Sequence, residues 1–264
     1  MLQKIVRDGV ILVVGCILLW FVLSKLIPAQ KPLNNMVSPE QEEKLADYIT
    51  DLVETQYTII QDTAWANRFE EIMTRFEKQM PDSDYEYKIK ILDDELPNAF
   101  ATLDGNIYFF KGMLDMADKP EEIAAVLAHE IAHVEKKHVI SKLISEFGLT
   151  IITTVATGGD MVLAREMILM MTRGAFSRRQ EKEADDFALK LLFDSGINPK
   201  YLGTLFRKLK DEHPESASQI EIMSSHPDLQ SRIEKSLEYS TEGFKEIPLD
   251  SMKLDRVEES GELN

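Results

Sequence analysis

Apolar and polar positions follow three rhythms along this chain, and each predicts a different kind of element. The first is no rhythm at all. From Gly9 to Leu23 there is no charged residue, and the apolar character runs on past Lys25 to Ile27. Such a run is long enough to cross a hydrocarbon core of ~30 Å as a helix. Lys4 and Arg7 precede it, which keeps the N-terminus inside and puts the remainder outside the cytoplasm. This predicts a short N-terminal segment over 1–8, a transmembrane anchor over 9–27 and a linker over 28–37. The same stretch has a second reading. "VVGC", ending at Cys16, has the form of a bacterial lipoprotein cleavage box, although the apolar run continues past it as "ILLWFVL".

The second rhythm is helical. Ser38, Pro39 and Gln41 form a helix start with a capping box. A further helix begins near Asp62 and repeats Trp65, Phe69, Ile72, Met73, Phe76 and Met80 at helical spacing, with Pro81 as its stop. Pro120, Glu121 and Glu122 open another, with acidic groups at the positive end of the dipole. The apolar block from Leu143 to Met171 is broken at Gly158-Gly159, and each arm is short for a membrane span, which predicts a buried helical hairpin, with a membrane-dipping element as the alternative. "RRQEKEADDFALKLLF" is helical up to Gly196, and later helices follow Pro199 and Pro227.

The third rhythm has period two. "YEYKIKIL" puts Tyr85, Tyr87, Ile89 and Ile91 on one face of a strand, and "NAFATLDGNIYFF" reads as two strands around an Asp104-Gly105 turn. Together the patterns predict an α+β fold, mainly helical, with a small antiparallel sheet of three or four strands. The domain covers 38–239, and an acidic tail over 240–264, poor in apolar periodicity, is expected to be mobile.

Composition narrows the function. The 264 residues are 44% apolar and carry a net charge of −16, so the chain holds one ordinary core and has no electrostatic footprint for nucleic acid. Cys16 is the single cysteine, so a metal site must be built from His, Asp and Glu.

"AVLAHEIAHVEKKH", residues 125–138, supplies the first two of these. His129 and His133 are four apart on a predicted helix, so both imidazoles leave one face and can reach a single ion at about 2.0–2.1 Å. Glu130 lies beside the first of them, placed to hold a water acidified by the metal and to take its proton. A third ligand is needed. His138 lies five residues past His133, and on a continuing helix that is a turn of about 500°, off the His133 face, which makes it structural. In "SRRQEKEADDFA", Glu181 and Asp185 are one turn apart. One carboxylate can ligate the metal and the other can hydrogen-bond a ligating imidazole.

"HEIAH" followed some fifty residues later by "SRRQEKEAD" resembles the HtpX/BepA-like zinc metalloprotease family, HExxH…ExxAD gluzincins that include the CAAX prenyl endopeptidases. "NAFATLDGNIYFFKGML" and "SHPDLQSRI" resemble the segment before its HExxH helix and its late His-Pro segment. The likeness covers about residues 40–238 and is nearest to the single-anchor members of the bacterial envelope or mitochondrial inner membrane. It implies a zincin-like domain with one zinc ion on His129, His133 and Glu181, Glu130 as catalytic base and Asp185 behind a ligand. It also implies a substrate strand added beside Asn98, Ala99, Phe100 and Ala101. His226 comes near the metal, either as a latch on zinc's fourth position or, with Arg232, as an oxyanion donor. The expected function is a membrane-anchored zinc endopeptidase in protein quality control, on the periplasmic side of a bacterial inner membrane. Its substrates would be unfolded or misassembled proteins. The alternative is a chaperone-like binder with latent or minimal proteolysis.

Overall fold

The computed structural model describes residues 37–158, 161–211 and 228–249. The Gly9–Ile27 run, Cys16, all of the 28–37 linker except Val37, and His226 lie outside the described residues. Among the described residues no helix is long and apolar enough to cross a membrane.

The caps read from sequence set the first helices. In α1 (Pro39–Gln56) the Ser38 side chain accepts from Gln41 N–H and the Gln41 side chain accepts from Ser38 N–H. In α2 (Thr63–Glu77) the Asp62 carboxylate caps Trp65 N–H at 2.9 Å, and Trp65, Phe69, Ile72, Met73 and Phe76 are buried in the expected stripe. The helix ends at Glu77, ahead of Pro81.

Four strands follow: β1 (Ile59–Ile60), β2 (Lys88–Leu92), β3 (Ala99–Ala101) and β4 (Asn106–Phe110). They form one sheet in the order β1-β2-β4-β3. β3 and β4 are the expected hairpin, and both Asp104 (φ 55°) and Gly105 (φ 74°) adopt the positive φ of a type I′ turn. A Cβ on Gly105 would lie 2.6 Å from the Glu86 carbonyl oxygen. The antiparallel expectation fails at one pairing: β2 and β4 run parallel, so the sheet is mixed. The chain leaving β2 passes the next lane and lays β3 at the outside first. The hairpin return then fills the vacant lane in the direction of β2. Tyr85 and Tyr87 precede β2 rather than joining it. The Tyr87 hydroxyl, with that of Ser83, donates to Glu135 Oε1 at 2.5 Å.

Beyond the sheet the chain is helical: α3 (Lys111–Met116), α4 (Pro120–Glu135), α5 (His138–Phe147), α6 (Thr150–Ala156), α7 (Met161–Arg173), α8 (Arg178–Asp194), α9 (Lys200–Asp211) and α10 (Leu229–Leu237). The apolar block is thus divided among three short helices. α4 is buried on every side from Glu121 to Val134, the mark of a central helix rather than a surface one. Its strongest packing is on α8, and small residues on both helices (Ala124, Ala128, Ala132; Ala184, Ala188) suit close approach. The first part of the C-terminal acidic segment lies on the domain. Arg75 donates to the carbonyls of Ile247 and Pro248, and Leu249 N–H donates to Glu121 and is buried.

Candidate metal centre and substrate edge

α4 presents His129, Glu130 and His133 from the middle of the core, 2%, 2% and 0% exposed. α8 crosses it and brings Glu181 and Asp185, both also 2% exposed. The placement of α8 starts at its cap, where Ser177 and Gln180 form a second capping box. That pattern, Ser-x-x-Gln, was available in the sequence as a start signal.

Three donor atoms meet. His129 Nε2 and His133 Nε2 are 3.1 Å apart, and the Glu181 carboxylate oxygens lie 3.5 Å from each. Tetrahedral donors around an ion at about 2.0–2.1 Å are separated by about 3.3 Å, so this trio has the spacing of a zinc site. It is the group of His and acidic residues that can hold a metal among the described residues. His138 stays out of it, as the sequence indicated, but by another geometry. The helix does not continue: Lys137 adopts a left-handed conformation (φ 53°) and α5 restarts at His138. The restart turns the His138 ring back, so that its Nδ1 is 3.1 Å from His133 Nδ1 and its Nε2 is 3.2 Å from Glu183. Each imidazole therefore has an outer partner, Asp185 at 3.2 Å from His129 Nδ1 and His138 for His133. Such partners fix tautomer and ring orientation. Sequence reasoning found Asp185 and missed the His138–Glu183 pair.

Arg232 on α10 is buried in the same cluster. Its guanidinium meets Glu181 at 2.5 Å and grips Asp185 with two bonds, at 2.8 and 2.9 Å. It also lies over the Phe206 ring and approaches His129 Nε2 to 3.1 Å. Burial raises the Asp185 pKa, but Arg232 and His129 outweigh it and bring the carboxyl down to about 2. For His129, burial and the Arg232 charge pull down, while Asp185 and Glu181 prevail and raise it to about 9.

The edge of the sheet borders this centre. Asn98 C=O and Thr102 N–H bond to β4, so the even-numbered residues face the ladder and Ala99 and Ala101 turn their polar groups outward. Ala101 N–H donates to Glu130 Oε2 at 2.9 Å, which ties the strand to the motif. Ala99, Phe100 and Ala101 are nonetheless buried. A strap from Met170 to Phe176, at the end of α7, lies across them. Asn98 Nδ2 donates to Thr172 C=O at 2.9 Å, and Lys142 donates to the carbonyls of Met170 and Gly174. Burial lowers the Lys142 ammonium to about 8, against the pull of Glu181, Glu146 and Glu130. Neither Lys142 nor Phe176 carries a motif signal. The site residues singled out in sequence that fall among the described residues are thus placed together.

The model of Peptidase family M48 matches residues 61–240. Among named proteins, the chain is 28% identical over 163 residues to the mitochondrial metalloendopeptidase OMA1 of Schizosaccharomyces pombe, covering 61% of this chain and 48% of that one. It is 25% identical over 206 residues to the β-barrel assembly-enhancing protease of Escherichia coli K12, covering 73% and 42%. It is 29% identical over 202 residues to the metalloprotease LoiP of the same strain, covering 69% and 79%. The chain spans about half or less of the length of the first two.

Proposed function

The chain belongs to peptidase family M48, and from that premise we propose that it is a membrane-associated zinc endopeptidase of protein quality control, acting on unfolded or misassembled proteins. The observation that carries the reading is the donor trio of His129, His133 and Glu181 at 3.1–3.5 Å, with the Glu130 carboxylate bonded to the adjoining strand. The membrane part rests on the apolar run from Gly9 to Ile27, or on lipidation at Cys16, either of which leaves the protease domain outside the cytoplasm. The names of the relatives, one mitochondrial and one tied to β-barrel assembly, support a quality-control role.

His129, His133 and Glu181 would hold the ion. When bound, zinc supplies Lewis acidity to the attacking water and to the scissile carbonyl. Glu130 takes the water's proton and returns it to the leaving amine. Asp185 holds His129 through Nδ1, and Arg232 keeps Asp185 ionised and fixed. A substrate in extended form adds along the outward edge of Ala99 and Ala101, taking over N–H groups that at rest donate to Asn98 Oδ1 and Glu130 Oε2, and main-chain bonding of this kind favours tolerance of side-chain sequence. The resemblance of "SHPDLQSRI" to the family's late His-Pro segment supports a role for His226 at the metal, as latch or as oxyanion donor. The covered edge favours a second reading, in which the resting protein is latent and binds more often than it cuts.

Zinc content and cleavage of an unfolded protein such as casein test the function together. Wild type should hold one zinc and cut, and Glu130→Gln should hold zinc and not cut. A wild type without zinc, or a cutting Glu130→Gln, overturns it.

A further inference from the structure

His133 is held differently from His129. The Phe206 ring stands at 89° to the His129 ring, its centroid 6.1 Å away, and so fixes little of its tilt. Phe176 lies flat on the His133 imidazole, with centroids 3.9 Å apart and planes within 24°. The Lys142 ammonium sits over the Phe176 ring at 4.3 Å. The histidine χ2 torsion is broad, so polar contacts at the ring edge restrain its tilt less than a contact on its face does. A flat contact on the ring face removes this freedom.

Phe176 also has a second attachment. It ends the strap that crosses β3, and the strap is closed by Asn98 on Thr172 and by Lys142 on Met170 and Gly174. A peptide that adds to the outward groups of Ala99 and Ala101 needs the space the strap fills. Displacing the strap therefore also disturbs the ring that steadies a metal ligand.

We propose that Phe176 is a positioning residue for His133 and that, through it, the strap over the substrate edge is coupled to the metal centre. This rests on the zinc-protease reading above. The closed strap holds His133 at its sharpest geometry, and engagement of substrate relaxes it. The coupling is a free energy between two sites, so it is reciprocal: loosening the strap weakens the metal, and the metal favours the closed strap.

The test reads metal directly. Zinc affinity is measured by chelator competition on the full chain, and the visible spectrum of the cobalt-substituted protein reports ligand geometry. Phe176→Leu keeps apolar volume but loses the flat face. It should bind zinc 10- to 100-fold more weakly, the range for loss of a group that orients a ligand, and shift the cobalt bands. Phe176→Tyr should restore both. Gly174→Ala touches no ligand, but its Cβ would meet the Met170 carbonyl oxygen at 2.5 Å and so pushes on the strap. It should lower KM for an unfolded substrate and weaken zinc in the same protein. If Phe176→Leu fails to fold, Phe176→Met carries the same measurement. Wild-type zinc affinity and cobalt spectrum in the folded Phe176 variant overturn the positioning role. Wild-type zinc affinity in a Gly174→Ala protein with lowered KM overturns the coupling. Neither result touches the protease reading, which fails instead if the wild type binds no zinc.

Discussion

Removal of the Arg232 guanidinium should be among the costliest changes in this protein, and the structure allows its size to be worked out. In Arg232→Leu, Asp185 keeps its place beside His129 with 2% exposure but loses both bonds from the guanidinium. Breaking one side of a buried ion pair costs about 3–5 kcal/mol, because the remaining charge is stranded. For a domain of this size that lowers Tm by about 6–20 °C. The native carboxyl, depressed by Arg232 and His129 together, gives a second gauge of what the cluster contributes. Its pKa falls from 3.8 to about 2. At about 1.36 kcal/mol per pH unit, that is about 2 kcal/mol of stability. The sign follows from the depressed value: the contribution is fully present above pH 3.8 and is lost as pH falls towards 2. Thermal melts in EDTA read these effects without metal. Arg232→Leu should melt far below wild type, and Asp185→Asn combined with Arg232→Leu should recover part of the loss, because the Asp185 charge is gone and only Glu181 is left without its guanidinium. Arg232→Lys should fall between, since an ammonium cannot reproduce the two-pronged grip. A melt of Arg232→Leu within about 2 °C of wild type, or a double variant no better than the single, would refute the reasoning.

Three further outcomes are expected. Glu181→Ala should abolish zinc binding, whereas His138→Ala should retain zinc at an affinity weakened about 10- to 100-fold, as measured by chelator competition; equal loss in both would make His138 a ligand. Ala99→Pro removes an outward donor of the edge strand without touching the β3–β4 ladder, so cleavage should weaken with zinc retained, and unchanged turnover in the folded variant would exclude strand addition there. His226→Ala should raise activity if the residue is a latch and lower kcat by about 10²-fold or more if it donates to the oxyanion; wild-type turnover with unchanged zinc affinity would remove it from the site.

Local chemistry was legible where it is local. Ser38 with Gln41, and Asp62 before Trp65, announce helix starts through bonds that span three residues, and both are present. The spacing of His129, His133, Glu181 and Asp185 carried the metal centre because one turn of helix fixes which side chains share a face. The direction of β4 was not legible. Alternation reports which face a residue takes and says nothing of the neighbour, so the parallel pairing with β2 had to come from the path of the chain. His138 could not be placed from helical phase because the phase resets at Lys137, an ordinary residue in a left-handed conformation. The strap was hidden for a further reason. Lys142, Thr172 and Phe176 carry no periodic or motif signal, and they meet Asn98 and His133 only through contacts tens of residues apart in sequence.

A sheet edge left open is a hazard as well as a tool, since a row of unpaired peptide groups will template any extended chain, including another copy of the same protein. Proteins blunt such edges with charge, proline or bulges. β3, "AFA", carries none of these within its length. Its protection is the strap, held by hydrogen bonds from Asn98 and Lys142, together with side chains that take its outward donors: Asn98 Oδ1 accepts from Ala99 N–H and Glu130 from Ala101 N–H. The edge is thereby closed to casual pairing, and under the proposed strand addition a chain would have to be extended and long enough to replace the strap. If β3 takes substrate as proposed, one contact would serve both to select extended chains and to guard the edge against self-association.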